Sequence, residues 1–421
     1  MSFIENLAKT VDETYNRSIT ENGAIGHRTT NHSLLDMNFK VSSYRNRSER
    51  EIAEDFMNAF AEDKVLAMKW LFYARDAREG LGERRLFRVC INTLARKYPE
   101  LTVNVLSLIA EYGRYDDLFA LIGTSLEDQV VSLIASTLVN DMQKYEHDEK
   151  NVSLLAKWMP SENASSEKSK KLARMFAKKL GISAKEYRKM LSRLRNYIGI
   201  VESSMSSNEW SEIDYEKIPS RANLIYNSAF LRHDEGRRRD FLSAVAKGEA
   251  KINASVLFPH DIVHKYYSHR GWYAMSLNAY DAGIEALWKA LPDAVQGEES
   301  TIVVADGSGS MTSTIGGTSI SALEVANALA IYFAERCEGE FKNKYITFSS
   351  RPQLVNLTGK SLHSNLQIAL KHNEVSNTNI EATFDLILST AIRNNMSQEE
   401  LPKNILVISD LEFDSATYDR R

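Results

Sequence analysis

From residue 49 to 145 the apolar positions recur at helical spacing. Ile52, Phe56 and Phe60, then Val65, Met68, Leu71 and Phe72, fall at i, i+3 and i+4. Arg84 to Lys97 repeats the pattern with Leu86, Phe87, Val89, Cys90, Ile91 and Leu94. Further helices are predicted over 101–112, 117–122 and 126–145. No strand-like alternation interrupts them, and short turns join them. Such a succession predicts a HEAT-like helical-repeat array, irregular because no clean period emerges. Before it, residues 1–50 read as a lead-in. Turn signals at 21–26 precede Leu34, Leu35, Met37, Phe39 and Val41. Beyond it, 241–292 returns to helix patterns through Leu242, Val245, Ile252, Val256, Leu257, Ile262 and Val263. Pro259-His260-Asp261 marks one helix start, with Pro and Asp in the first turn.

At residue 301 the period changes. Ile302 to Ala305 is an unbroken apolar run, as expected of a parallel strand covered on both faces. Helix 320–336, strand 344–349, an edge strand near 353–357, helices 362–371 and 381–393, and strand 404–409 follow. This alternation predicts an α/β unit. The acidic stretch from Pro292 to Ser300 reads as a linker, so the expected domains are 1–295 and 296–421. The predicted class is multidomain, α followed by α/β.

Where the first strand of the α/β unit ends, chemistry begins. Asp306, Ser308 and Ser310 stand at alternate positions in Asp-Gly-Ser-Gly-Ser. The carboxyl ends of strands in open α/β sheets are where ligands bind. One carboxylate and two hydroxyls are a sparse set of hard oxygens, suited to Mg²⁺ or Mn²⁺ with several waters retained. The segment resembles the metal-ion-dependent adhesion site of von Willebrand factor A domains. That resemblance adds Thr378, in Ser376-Asn-Thr-Asn-Ile, and Asp410, at the end of Ile405-Leu-Val-Ile-Ser-Asp, as further ligands. It implies a Rossmann-like domain carrying Mg²⁺, with Mn²⁺ or Ca²⁺ as alternatives. Two further strands and helices of that family pattern are missing after Asp410, so the domain is expected to be C-terminally incomplete, its edge uncovered or closed by another chain.

Net charge adds little, at −4 for 421 residues, but its distribution does. From Lys168 to Arg195 eleven Lys/Arg face a single acid, Glu186. Two helices fit that run, split at Leu180-Gly-Ile-Ser183. Lys170, Lys171, Arg174, Lys178, Lys179, Lys185, Arg188, Lys189, Arg193 and Arg195 are the candidate phosphate contacts, with Phe176, Tyr187 and Tyr197 interleaved. Arg221 and the run Arg237-Arg238-Arg239 add charge nearby. Cys90 and Cys337 are far apart in helix-like patterns and read as reduced core thiols. No stretch approaches the about 20 apolar residues of a membrane span, and the N-terminus lacks a signal-peptide pattern. A cytoplasmic protein is expected. His260 and His264 are one helical turn apart and His269 follows, but nothing completes a zinc site, so core or surface roles are expected.

Two motifs in the helical part widen the resemblance. Arg75-Asp76-Ala-Arg78-Glu-Gly80-Leu-Gly82-Glu-Arg84 and Tyr112-Gly113-Arg114-Tyr-Asp116-Asp117-Leu resemble turns of the TROVE domain of Ro-type RNA-binding proteins. Read on their own chemistry, they are ion pairs fixing inter-helix turns, with Gly80, Gly82 and Gly113 as caps. The whole chain is similar to the Ro autoantigen architecture. It is closer still to a family of A-domain proteins of bacteria, phages, plants and fungi with no settled activity, through Trp158-Met-Pro-Ser-Glu-Asn, Pro219-Ser-Arg-Ala-Asn and Ile408-Ser-Asp-Leu-Glu-Phe-Asp. The resemblance implies a non-catalytic RNA-binding protein whose ligand is a small structured RNA or a single-stranded end. The alternative is an adaptor that captures a partner's Asp or Glu carboxylate through the cation. No nucleophile triad, phosphate loop or dinucleotide fingerprint supports an enzyme.

Overall fold

A computed structural model describes residues 2–19, 25–268, 276–295, 300–348, 351–373 and 379–411. The chain forms two compact units. One is Asn31–Asp214, and the other joins Met1–Thr30 to Tyr215–Arg421. None of the described helices is long and apolar enough to cross a membrane.

The unit 31–214 is helical. Its principal helices are α1 (Glu49–Glu62), α2 (Lys64–Arg75), α3 (Arg84–Lys97), α4 (Leu106–Tyr112), α5 (Glu127–Glu146), α6 (Glu167–Lys179) and α7 (Ala184–Ile198). Capping chemistry sets their starts. Ser48 and Glu51 exchange bonds at the head of α1, and Ser183 and Glu186 do the same at the head of α7. The expected helix over 101–112 is broken after Val103 and resumes at Leu106, and 115–121 is a 3₁₀ helix. One core gathers Ile52, Phe56, Phe60, Leu71, Phe87, Ile91, Leu118, Ile134, Phe176 and Leu194, together with Met37 and Tyr44 of the lead-in.

In the other unit, α8 (Ser220–His233), α9 (Glu235–Lys247), α10 (Pro259–Val263) and α11 (Ala282–Lys289) precede an α/β part. That part runs β1 (Thr301–Asp306), α12 (Ala322–Arg336), β2 (Lys344–Phe348), β3 (Gln353–Asn356), α13 (Leu362–Lys371), α14 (Ile380–Arg393) and β4 (Asn404–Ile408). The sheet order is β3-β2-β1-β4, with β2 and β4 parallel to β1 and β3 antiparallel to β2. The N-terminal segment contributes a helix, Phe3–Asn16, and a hairpin pairing Arg17–Ile19 with Ile25–His27, which the apolar pattern did not signal.

Packing and sequence pattern divide the chain at different places. Leu242, Ile262, Tyr266, Leu287 and Trp288 share one core with Val303, Ile331, Tyr345 and Leu366. Helices 220–289 therefore stand with the sheet, and the packing boundary lies at 214/215. The acidic linker near 295 is a composition break inside that unit.

Arg238 organises α8 and α9. It is wholly buried, and its guanidinium donates to Asn223 Oδ1 (3.1 Å) and Asn227 Oδ1 (3.0 Å). The rings of Tyr215, Phe230 and Phe241 surround it at 5.1–5.4 Å. Burial lowers its pKa to about 10. The Arg237–Arg239 run thus adds no free positive face. Arg237 pairs with Asp234 (3.0 Å), Arg239 with Glu235 (2.8 Å), and Arg221 with Asp261 (3.0 Å).

Candidate metal centre and nucleic-acid interface

Asp306 is the last residue of β1. The register sets Ala305 opposite Ile408 of β4, so the residue after β4, Ser409, arrives beside the carboxylate. Ser409 Oγ donates to Asp306 Oδ2 at 2.6 Å, and the Ser308 amide donates to Oδ1 at 2.8 Å. The Ser308 and Ser310 hydroxyls are 3.1 Å apart. Asp306 is 1% and Ser308 2% exposed. Burial pushes the Asp306 pKa up, hydrogen bonds from Ser409 and Ser308 oppose this, and the nearby Asp410 charge raises it further.

A buried carboxylate with a second carboxylate in range and no cationic side chain against it, among the described residues, is the environment a bound cation would relieve. Asp306, Ser308 and Ser310 could hold a hard divalent ion with waters completing its shell. Among the described residues no group of three or more His, Cys, Asp or Glu is placed to bind a metal. A site here would therefore be of the hydroxyl-rich kind. Asp410 itself is exposed, and the contact with Asp306 is made by its neighbour Ser409. The signal for Ser409 was present in Ile-Ser-Asp at the strand end. Thr378 lies outside the described residues.

The histidines take structural places. His264 Nδ1 lies 2.7 Å from Glu324 Oε2 and its Nε2 3.2 Å from Ser319 Oγ, tying α10 to α12 and the loop before it. His260 stacks on Phe258, 5.5 Å between centroids. His269 is outside the described residues.

In the helical unit, Arg75 and Asp76 are not partners. Arg75 Nε donates to Asp117 Oδ2 (2.7 Å) across 42 positions, joining the two polar motifs. Arg88 Nε donates to Asp117 Oδ1 (2.6 Å). Arg114 grips Asp116 through Nε and Nη2 at 2.9 and 2.7 Å, and its guanidinium lies 3.9 Å from the Trp158 ring centroid. Arg88 Nη2 sits 2.8 Å from Asp116 but out of line for a hydrogen bond. Gly113 caps α4, as expected. Gly80 and Gly82 do not cap a helix. They close the turn after α2, where Leu81 and Gly82 amides donate to Tyr73 and Asp76 carbonyls (3.1 and 2.9 Å). A Cβ on Gly80 would fall 1.9 Å from the Tyr73 carbonyl oxygen.

Seven of the ten expected phosphate contacts, Lys171, Arg174, Lys178, Lys185, Arg188, Lys189 and Arg193, are exposed on α6 and α7 with no ion-pair partner among the described residues. The other three are engaged. Lys170 pairs with Glu167 (2.7 Å), and Lys179 contacts Glu127 (2.6 Å) and Asp128 (2.8 Å). Arg195 donates to the Ala156 and Met159 carbonyls and to Ser161 Oγ (2.8, 2.7 and 2.8 Å), pinning the loop before α6. Its role is local architecture.

Residues 20–131 and 123–300 match the model of a domain of unknown function (DUF2828), and residues 300–421 match a second domain of unknown function (DUF7788). The chain is also 28% identical over 436 residues to "Uncharacterized protein L728" of Acanthamoeba polyphaga mimivirus, an alignment covering 94% of this chain and 73% of that protein. The two family models meet at residue 300, close to the acidic stretch, although the packing boundary lies at 214/215. The DUF2828 match spans well over half of the sequence, and the chain belongs to that family.

Proposed function

We propose that this protein is a non-catalytic RNA-binding protein of Ro-like design. A HEAT-like helical unit carries the RNA, and an α/β unit of von Willebrand factor A type carries a divalent cation, Mg²⁺ first. The observation behind the RNA reading is the unneutralised face of α6 and α7. Surface lysines and arginines are normally interspersed with acids. Here seven exposed cations have no acidic partner among the described residues. Such a face gains by displacing counterions from a phosphate backbone, so binding should weaken steeply with salt. Reversing charge at Lys178, Arg188 and Lys189 in the full chain tests this by fluorescence anisotropy on single-stranded RNA. A loss of about tenfold or more is expected, and unchanged affinity overturns the reading.

A second reading rests on a different observation, the buried Asp306 with its serine hydroxyls. A cation there, with Asp306, Ser308 and Ser310 as ligands and Thr378 and Asp410 completing the expected set, would present open coordination positions. A carboxylate from a partner protein suits such a position, which makes an adaptor role the alternative. Asp306→Ala or EDTA should then abolish partner capture while leaving RNA affinity intact.

A further inference from the structure

Within the helical unit, a groove of about 1150 Å³ runs between α3 and α6, floored by the 3₁₀ segment Tyr115–Leu121. Arg84, Arg85 and Arg88 line it from α3, and Lys168 and Lys171 from α6. Arg84 and Arg88 are one helical turn apart, as are Lys168 and Lys171, so each helix turns a row of cations to the groove. Arg50 adds a sixth cation at the rim, and among the described residues the only carboxylates lining it are Glu49 and Asp116.

Several of these charges are already committed. Arg88 serves Asp116 and Asp117, Arg85 Nη1 donates to the Tyr44 carbonyl (2.6 Å), and Arg50 pairs with Glu54 (2.7 Å). Arg84, Lys168 and Lys171 have no ion-pair partner among the described residues. Burial, then the neighbouring Arg114 and Arg88 charges, holds the Arg84 pKa below its usual value. Like charges gathered across a groove repel, and an anion between them reverses the sign of that interaction.

We infer that this groove is a binding channel for the phosphate backbone of single-stranded RNA, gripped between Arg84 of α3 and Lys168 and Lys171 of α6. The inference rests on the RNA reading above and locates the ligand's path between the start of the basic run and Arg84, a residue that run did not include. Size favours a strand. Sites for one small molecule occupy about 300–1000 Å³, and this groove exceeds them. A duplex is read across a broad face and does not thread a groove between two helices. Half-buried Phe119 in the groove wall offers an apolar surface beside the phosphates, the pairing common in single-strand channels.

The test uses the full chain and a labelled mixed-sequence RNA of about a dozen nucleotides, followed by anisotropy across a salt series. The double variant Arg84→Glu/Lys171→Glu is compared with Lys69→Glu/Lys97→Glu, exposed cations outside both the groove and the α6–α7 face, and circular dichroism confirms folding of each. The groove variant is expected to bind about tenfold or more weakly, with the salt slope reduced by about 0.7 for each phosphate no longer neutralised. Inorganic phosphate should compete only weakly, because it engages one grip point of several. If the groove variant retains wild-type affinity and slope while charge reversal at Lys178, Arg188 and Lys189 loses both, the channel is overturned and the RNA reading survives. If the wild-type chain binds no RNA, both fail. Equal preference for duplex RNA also overturns the channel.

Discussion

Arg75 Nε and Asp117 Oδ2 stand 2.7 Å apart with both side chains buried, linking the end of α2 to the 3₁₀ turn after α4. Breaking a buried pair leaves an uncompensated charge, which typically costs about 3–5 kcal/mol. Arg88 still serves the other oxygen of Asp117. Arg75→Ala is therefore expected near the lower end, about 3 kcal/mol, read as a fall in the urea midpoint of the full chain by tryptophan fluorescence. A loss below about 1 kcal/mol would show that the pair is not structurally coupled to the helical core.

Two glycines give opposite expectations. A Cβ on Gly113 would meet Asp117 Oδ2 at 2.6 Å and the Ile109 carbonyl at 2.8 Å, both fixed by their own bonds. Gly113→Ala should destabilise by about 2 kcal/mol through displacement of this ion-pair cluster. Gly236, in the first turn of α9, has open space around it. Gly236→Ala should stabilise by about 0.4–1 kcal/mol by restricting the unfolded chain. Thermal midpoints of the two variants should move in opposite directions.

Asp116 supplies a pH dependence. Burial opposes its charge, but the Arg114 hydrogen bonds and the adjacent Arg88 guanidinium charge outweigh this and hold its pKa below the usual 3.8. A carboxylate depressed on folding stabilises the protein above its unfolded value, and that stability is lost as pH falls through the folded one. Asp116→Asn should cost about 1.5–3 kcal/mol at neutral pH. The gap from wild type should narrow progressively below pH 3.8, where the unfolded carboxylate protonates first. Urea midpoints at pH 7 and in the acid range check the sign.

Cation binding at Asp306 should appear as stability. A ligand at a hundredfold excess over its Kd adds about 2.7 kcal/mol. Mg²⁺ should therefore raise the thermal midpoint of the wild-type chain, EDTA should reverse it, and Asp306→Ala should show neither response. Equal responses in both proteins would place the ion elsewhere.

Arg195 separates architecture from binding. It spends three donors on the Ala156–Ser161 loop. Arg195→Ala should lower stability by about 2 kcal/mol, whereas Arg193→Ala, exposed on the same helix, should leave stability unchanged and weaken RNA binding.

Much of this was legible because local signals agreed. The break at Leu180-Gly-Ile-Ser183 separates α6 from α7 because Ser183 and Glu186 form a capping box, a pattern visible in four residues. The unbroken run Ile302–Ala305 became the central strand β1 because both faces are covered. What sequence could not give was pairing over distance. Arg75 chose Asp117 over its neighbour Asp76, and Arg238 left a basic run for an aromatic cage, because folding brought those partners within reach. The division at 214/215 was equally hidden. Helices 220–289 have ordinary amphipathic patterns, and nothing in a pattern says which core a helix will share. In Ile-Ser-Asp the Asp410 carboxylate is a more conspicuous ligand than the Ser409 hydroxyl, and it is the parallel register, invisible in the sequence, that brings Ser409 to Asp306.

The most direct measurement is the affinity of the purified full-length chain for single-stranded RNA as a function of salt. The account predicts saturable binding whose logarithm falls linearly with the logarithm of salt concentration, at a slope of about −2 or steeper, for three or more phosphate contacts. Absence of binding at low salt, or binding with a slope near zero, would contradict it.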